Sequence, residues 1–326
     1  MNILTWLLTI QIKLYRHYRE NRGFTLIELL VALLLAFLVI APLMGLMISL
    51  LDSDRKEQAK ANSEQEIQAA MDYINRDLQQ AIYIYDATGV DAIKGQLPTI
   101  TNGNPVLIFW KRELLRNSSP TSYTQSGTTV SFSDDAFVNS LVAYYLIRDN
   151  QTPWSRAARI ARFQIQDGVP NKNGSTCSTA YDTTTKFSRC PHDGFQPVNL
   201  LQKDKTLAQK MNSWTKTSQA YTQQTTVLVD FIDHTQTTAS SQSPPAASCP
   251  TSDFTVVPSG TTYTGFYACV DSLTVDNRSV VEVYLRGNAL ARLSDNANRI
   301  SYNRQQLAFF PTARTRIEGR SFIFSK

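Results

Sequence analysis

Residues 22–51 read RGFTLIELLVALLLAFLVIAPLMGLMISLL, and no other feature limits the possible structures of this chain as tightly. A polar, basic leader stops at Arg22-Gly23, and the 28 residues from 24 to 51 carry one charge, Glu28. At about 1.5 Å per residue a helix of that length crosses a hydrocarbon core of roughly 30 Å with room to spare. A carboxylate in such a span costs roughly 2.5–3.5 kcal/mol at the bilayer centre, and less near the interface. Something must offset that cost, so Glu28 is a functional candidate.

The flanks orient the span. Residues 1–23 hold Lys13, Arg16, Arg19 and Arg22 against Glu20, whereas the residues after Leu51, DSDRKE, are mixed and begin acidic. The positive-inside rule predicts a cytoplasmic N-terminus, with the bulk of the chain on the far side of a single crossing. An ordinary secretory signal is excluded, because its apolar segment is only 7–15 residues and its charged region short. The opening MNILTWLLTI is apolar but belongs to the leader.

Gly, then Phe, then Thr-Leu-Ile-Glu, then a long apolar helix resembles the class III signal of type IV prepilins and type II secretion pseudopilins. The resemblance implies that a prepilin peptidase cuts between Gly23 and Phe24 and that Phe24 becomes an N-methylated N-terminus. It also implies that Glu28, the fifth mature residue, pairs with the terminal amine of a neighbouring subunit and so sets filament register. Two membrane-embedded charges neutralise each other only in the correct register. The competing reading is an uncleaved signal anchor with an accidental Glu. Pro42 and Gly45 sit inside the span. Proline removes a helical hydrogen bond and predicts a kink, tolerated in membranes where neighbours satisfy the freed carbonyl.

After residue 51 the apolar period becomes that of an amphipathic helix. Ile67, Met71, Ile74, Leu78 and Ile82 recur at spacings of three and four, widened by Ala70 and Ala81, opposite Glu64, Gln68, Asp72, Asn75 and Gln79. The predicted division is a leader over 1–23, a membrane and assembly helix over 24–51, an amphipathic extension over 52–86, and a β-rich domain outside the cytoplasm over 87–326. The fold class is α+β, type IV pilin-like, with a long N-terminal helix whose outer half packs on antiparallel sheet. Segments 106–110, 141–148, 159–166, 226–232, 265–270 and 279–285 are rich in β-branched and aromatic residues and read as strands. Asp149-Asn150 suggests a hairpin with a loop of about ten residues. The polar stretches 114–129, 171–186 and 235–248 read as surface loops, and a helix is expected at about 198–213.

Net charge is +5 overall, but residues 80–326 carry 24 basic and 18 acidic side chains. Near the C-terminus, Arg278, Arg286, Arg292, Arg299, Arg304, Arg314, Arg316, Arg320 and Lys326 face only Glu282, Asp295 and Glu318. That surplus suits an anionic partner such as an acidic polysaccharide or an acidic pilin face, or is a solvated strand face with scattered arginines. No aromatic-basic module points to nucleic acid.

All four cysteines, Cys177, Cys190, Cys249 and Cys269, lie beyond the span, in keeping with an oxidising compartment. Of the three connectivities open to them, the loop-local one, Cys177–Cys190 with Cys249–Cys269, is preferred; each link is worth about 3 kcal/mol on the chain-entropy model. A zinc site competes, but close Cys-x-x-Cys spacing is missing and Cys190-Pro-His192 is a poor substitute. No metal is expected. Asp134-Asp135 has calcium-ligand chemistry, yet an isolated acidic pair is usually solvated. Nothing supports an enzyme or a cofactor: His17 belongs to the leader, His192 and His234 stand alone in polar segments, and GxSxG, HExxH and GxxxxGK are absent.

LVAYYLIRDNQTPWSRAARIARFQI, TVLVDFID, VEVYLRGNALAR and QQLAFFPTARTRIEGRSF resemble the hormogonium polysaccharide secretion pseudopilins of filamentous cyanobacteria, C-type member. The resemblance implies a minor pilus-like subunit that serves polysaccharide export and gliding motility. Its partners would be other pilins and an inner-membrane assembly platform. Two alternatives stay open: a membrane-anchored module whose basic C-terminal face holds an anionic polysaccharide, and a minor pseudopilin of a type II protein-export machine.

Overall fold

A computed structural model of the protein describes residues 23–177, 181, 184–238, 242–271 and 280–319. The leader before Gly23, Arg278, Arg320 and Lys326 lie outside the described residues. The chain divides into two compact units, one ending at Arg55 and one beginning at Lys56.

Helix α1, Leu26–Leu78, runs from the first unit into the second. In the first unit its side chains are exposed throughout. In the second unit it buries Ala59, Ser63, Ile67, Ala70, Met71, Ile74, Asp77 and Leu78 at helical spacing. Ile74 and Leu78 have no exposure at all, and each buried side chain of this size contributes roughly 1.5–3 kcal/mol.

The helix stops at Leu78, short of the predicted 86. Gln79 and Gln80 turn, and Ala81–Ile84 forms strand β1. Ile82 fits the i+4 stripe of α1, but Ile82-Tyr83-Ile84-Tyr85 is equally an alternating β-former segment. Pairing with β2 decides between them: Ile84 faces Phe109, and Arg112 donates its backbone N–H to the Gln80 carbonyl. Asp86 then caps a short helix α2, Ala87–Ile93, accepting from Gly89 N–H at 2.7 Å.

The first sheet has five antiparallel strands in the order β1-β2-β3-β4-β7, with β2 Gly103–Gln125, β3 Thr128–Ile147, β4 Ala158–Gln166 and β7 Thr226–Ile232. A two-stranded ribbon, β5 Val169–Thr176 with β6 Lys186–Arg189, stands apart. The second sheet runs β11-β10-β9-β8, with β8 Phe254–Val257, β9 Phe266–Asp271, β10 Val280–Arg286 and β11 Thr312–Glu318. The sheets meet where Ile232 bridges Gly287, Asp233 donates its N–H to the Arg286 carbonyl, and Asn288 donates to Phe231. Gly265 is required at this seam, because a Cβ there would lie 1.8 Å from the Asp233 carbonyl oxygen.

Two predicted loops are strands. Residues 114–125 continue β2 and pair with 128–137 of β3, forming a long two-stranded arm. Its turn is Ser126-Gly127, with φ of 51° and 83°, the pair of positive values that a tight two-residue hairpin needs. Residues 171–176 belong to β5. The expected helix at 198–213 shortens to α3, Leu207–Asn212, opened by Thr206 in a reciprocal capping box with Gln209. The loop between β3 and β4 is where Asp149-Asn150 predicts it, and Arg159 grips Asp149 across it with two hydrogen bonds.

Candidate functional site

The sequence motif lies at the start of α1. Gly23 and Phe24 precede the helix, and Thr25 opens it: its hydroxyl accepts the Glu28 backbone N–H at 3.3 Å, and its carbonyl accepts from Leu29 at 3.1 Å. Thr-Leu-Ile-Glu therefore also reads as one arm of a capping box. The reciprocal arm, from the Glu28 carboxylate to the Thr25 N–H, is not made among the described residues. The carboxylate stays exposed in the first turn, where the helix dipole favours negative charge, and no described residue forms an ion pair with it.

Around and beyond Glu28, 20 large apolar side chains between residues 24 and 51 are exposed, none by less than 47 %. Solvent does not tolerate a surface of this extent on a folded chain, so it needs lipid or other apolar helices around it. This is the one helix among the described residues that is long and apolar enough to cross a membrane. Pro42 lies within it, and Gly45 has open space where a side chain would be.

A second charged site, invisible in the sequence, closes the other end of α1. Asp77 is buried between the helix and the sheet, where its carboxylate receives Lys111 Nζ from β2 at 3.0 Å, Tyr144 Oη from β3 at 2.8 Å and Arg162 Nε from β4 at 2.7 Å. Glu113 extends the row, accepting from Ser140 and Gln164, while Arg162 also donates to Gln164. Burial alone would raise the Asp77 pKa, but hydrogen bonding and attraction from Arg162, reinforced by Lys111 and Tyr144, hold it below the usual carboxylate value. Desolvation and the neighbouring Asp77 charge push the Tyr144 phenol far up, so it remains a donor. This cluster fixes one helix onto three strands.

The cysteines pair Cys177–Cys190 and Cys249–Cys269, with Cα separations of 5.7 and 5.6 Å, and none is free. Among the described residues no group of three or more His, Cys, Asp and Glu side chains is placed to hold a metal. Asp135 instead accepts the Asn117 N–H at 2.8 Å, holding the irregularity between Leu115 and Ser119 in β2. Desolvation lowers the pKa of both His192 and His234, and their buried Nδ1 atoms have no partner.

The C-terminal arginines do not form one face. Arg286 is interior, its Nε 2.8 Å from Asp233 and its Nη2 2.7 Å from Thr264, because β10 turns that position toward the seam. Arg292 is engaged by Ser63 and Glu66 of α1 and stacks over Phe231. Arg314 lies 2.8 Å from Glu282 and Arg316 packs over Phe254, both on the exposed side of β11, while Arg299 and Arg304 are exposed on the preceding connection.

Residues 18–44 match the family described as the prokaryotic N-terminal methylation motif. No curated protein and no solved structure matches the chain. The motif supports a type IV pilin or pseudopilin, a family that is structural rather than catalytic, and the long apolar helix followed by antiparallel sheets agrees with it.

Proposed function

We propose that this chain is a minor pseudopilin, a subunit held in the cytoplasmic membrane by residues 24–51 and then drawn into a pilus-like filament. The observation that carries the reading is the combination of Gly23, Phe24 and Glu28 with a long helix whose apolar side chains are exposed. Lipid covers such a helix before assembly, and the apolar helices of neighbouring subunits cover it afterwards. Prepilin peptidase removes residues 1–23 and leaves a methylated amine on Phe24. Glu28 neutralises the amine of an adjacent subunit, and Pro42 allows the helix to bend as it packs. The division into leader, membrane helix, extension and β-rich domain outside the cytoplasm belongs to the same proposal, as does recruitment by an inner-membrane platform.

Mass spectrometry of the N-terminus from the native membrane tests this reading. The expected result is an N-methylated peptide starting at Phe24. A retained Met1 overturns the reading.

The finer assignment, to a machine that exports polysaccharide and supports gliding, draws on the segments quoted for that resemblance. The anionic-cargo alternative is weakened by Arg286 and Arg292, whose charges are already engaged.

A further inference from the structure

We propose that the groove between the β2–β3 arm and the β5–β6 ribbon is a binding site for a neutral glycan. It encloses about 490 Å³ and is lined by twelve residues: eight with hydroxyl or amide side chains, the two phenyl rings of Phe132 and Phe187, Pro120 and Gly174. None of the twelve is charged. The volume falls within the usual range for small-ligand clefts, about 300–1,000 Å³.

The groove is built, not incidental. Asn171 on the ribbon donates its side-chain N–H to the Pro120 carbonyl of the arm at 2.8 Å, and the Ser188 hydroxyl donates to the Ser118 carbonyl at 2.6 Å. Gly174 is needed for the ribbon to close, since a Cβ there would sit 2.1 Å from the Phe187 carbonyl oxygen. The Cys177–Cys190 disulfide links the residue that follows β5 to the residue that follows β6. A cleft pinned in this way loses little freedom when it binds.

Its chemistry selects the ligand. Ser, Thr and Asn side chains both donate and accept, which matches the hydroxyl groups of a sugar. Phe132, 43 % exposed, and the half-buried Phe187 offer flat apolar faces for the C–H side of a pyranose ring. Uronate, sulfate or phosphate groups would find no cation in the lining, and two rings are too few to shelter a lipid chain. The inference concerns a neutral ligand at a place far from the C-terminal arginines in sequence, and it does not depend on cleavage at Gly23 or on filament assembly.

The test is calorimetric titration of the full-length oxidised protein in nanodiscs with neutral α-1,4- and β-1,4-linked glucose hexasaccharides, hexagalacturonate and a polar hexapeptide. At least one neutral hexasaccharide should bind, and binding should weaken roughly tenfold in Phe132→Ala and in Asn173→Ala. Asn173 is exposed, so the melting curve of Asn173→Ala should not move. Should either variant misfold, Ser133→Trp, which fills the groove, should abolish binding instead. Reducing the Cys177–Cys190 bridge should weaken binding as well. No binding of either neutral glycan up to about 5 mM, equal binding by the variants, or preference for hexagalacturonate or the peptide would overturn the proposal.

Discussion

Glu28 and Asp77 are carboxylates on one helix, and their surroundings could hardly differ more. Asp77 is buried and receives two cations and a phenol from three strands. Glu28 is exposed, surrounded by apolar side chains, and has no ion pair among the described residues. The chain thus satisfies one of these two carboxylates internally and gives the other no ion pair among the described residues. A buried carboxylate with its partners in place costs little, whereas one without them costs several kcal/mol. On the proposed function, the difference marks where folding of the single chain ends and association begins.

The comparison breaks most sharply at Glu28. Replacing it with Leu should leave insertion and the melting of the second unit unchanged while abolishing co-purification with other pilin-like subunits; Glu28→Asp should be intermediate. Normal co-purification of Glu28→Leu would mean that this carboxylate, too, is only local, as the capping geometry at Thr25 allows.

Asp77→Ala should show the opposite pattern, with insertion intact and stability lost. Leaving Arg162 without its counter-charge, and Lys111 with only Glu113 at 3.6 Å, should cost about 3–5 kcal/mol in denaturant unfolding of the whole chain. Asp77→Asn should cost less, since an amide still accepts from Tyr144. A loss under about 1 kcal/mol in the alanine variant would show the cluster to be a loose surface pair, worth no more than such pairs usually are.

The smallest effect is the pH dependence. Because the folded Asp77 pKa lies below its unfolded value, its contribution is present above the ordinary carboxylate pKa of about 4 and is lost as pH falls through the folded value. Unfolding midpoints measured downward from pH 7 should therefore drop more steeply below about pH 4 in the parent than in Asp77→Asn. Parallel curves would count against Asp77 as the source.

What the sequence disclosed follows the range of the forces involved. The membrane helix is a local property of 28 consecutive side chains and needs no knowledge of the fold. The six strands read from β-branched runs are likewise local, and each coincides with part of an observed strand to within one residue. The end of α1 misled because Ile82 satisfies the helical stripe, and only pairing with β2 reveals it as strand. The arm was hidden because it is largely exposed and mixes Leu114, Val130 and Phe132 with Ser and Thr in no clear alternation, although Ser126-Gly127 is a turn signal in plain view. The Asp77 cluster was out of reach, since Lys111 and Arg162 lie 34 and 85 positions away and nothing in their neighbourhoods links them. Arg286 misled for the same reason: its partner Asp233 is 53 residues upstream.

The two disulfides close rings of separate stretches of chain, spanning 13 and 20 positions and not overlapping. No residue belongs to both rings, so each bond ties only its own stretch of chain. A protease cut inside either one severs the backbone but parts nothing, since both cut ends remain covalently joined. With the β-rich part placed outside the cytoplasm, as proposed, the rings keep the chain in one piece after a nick.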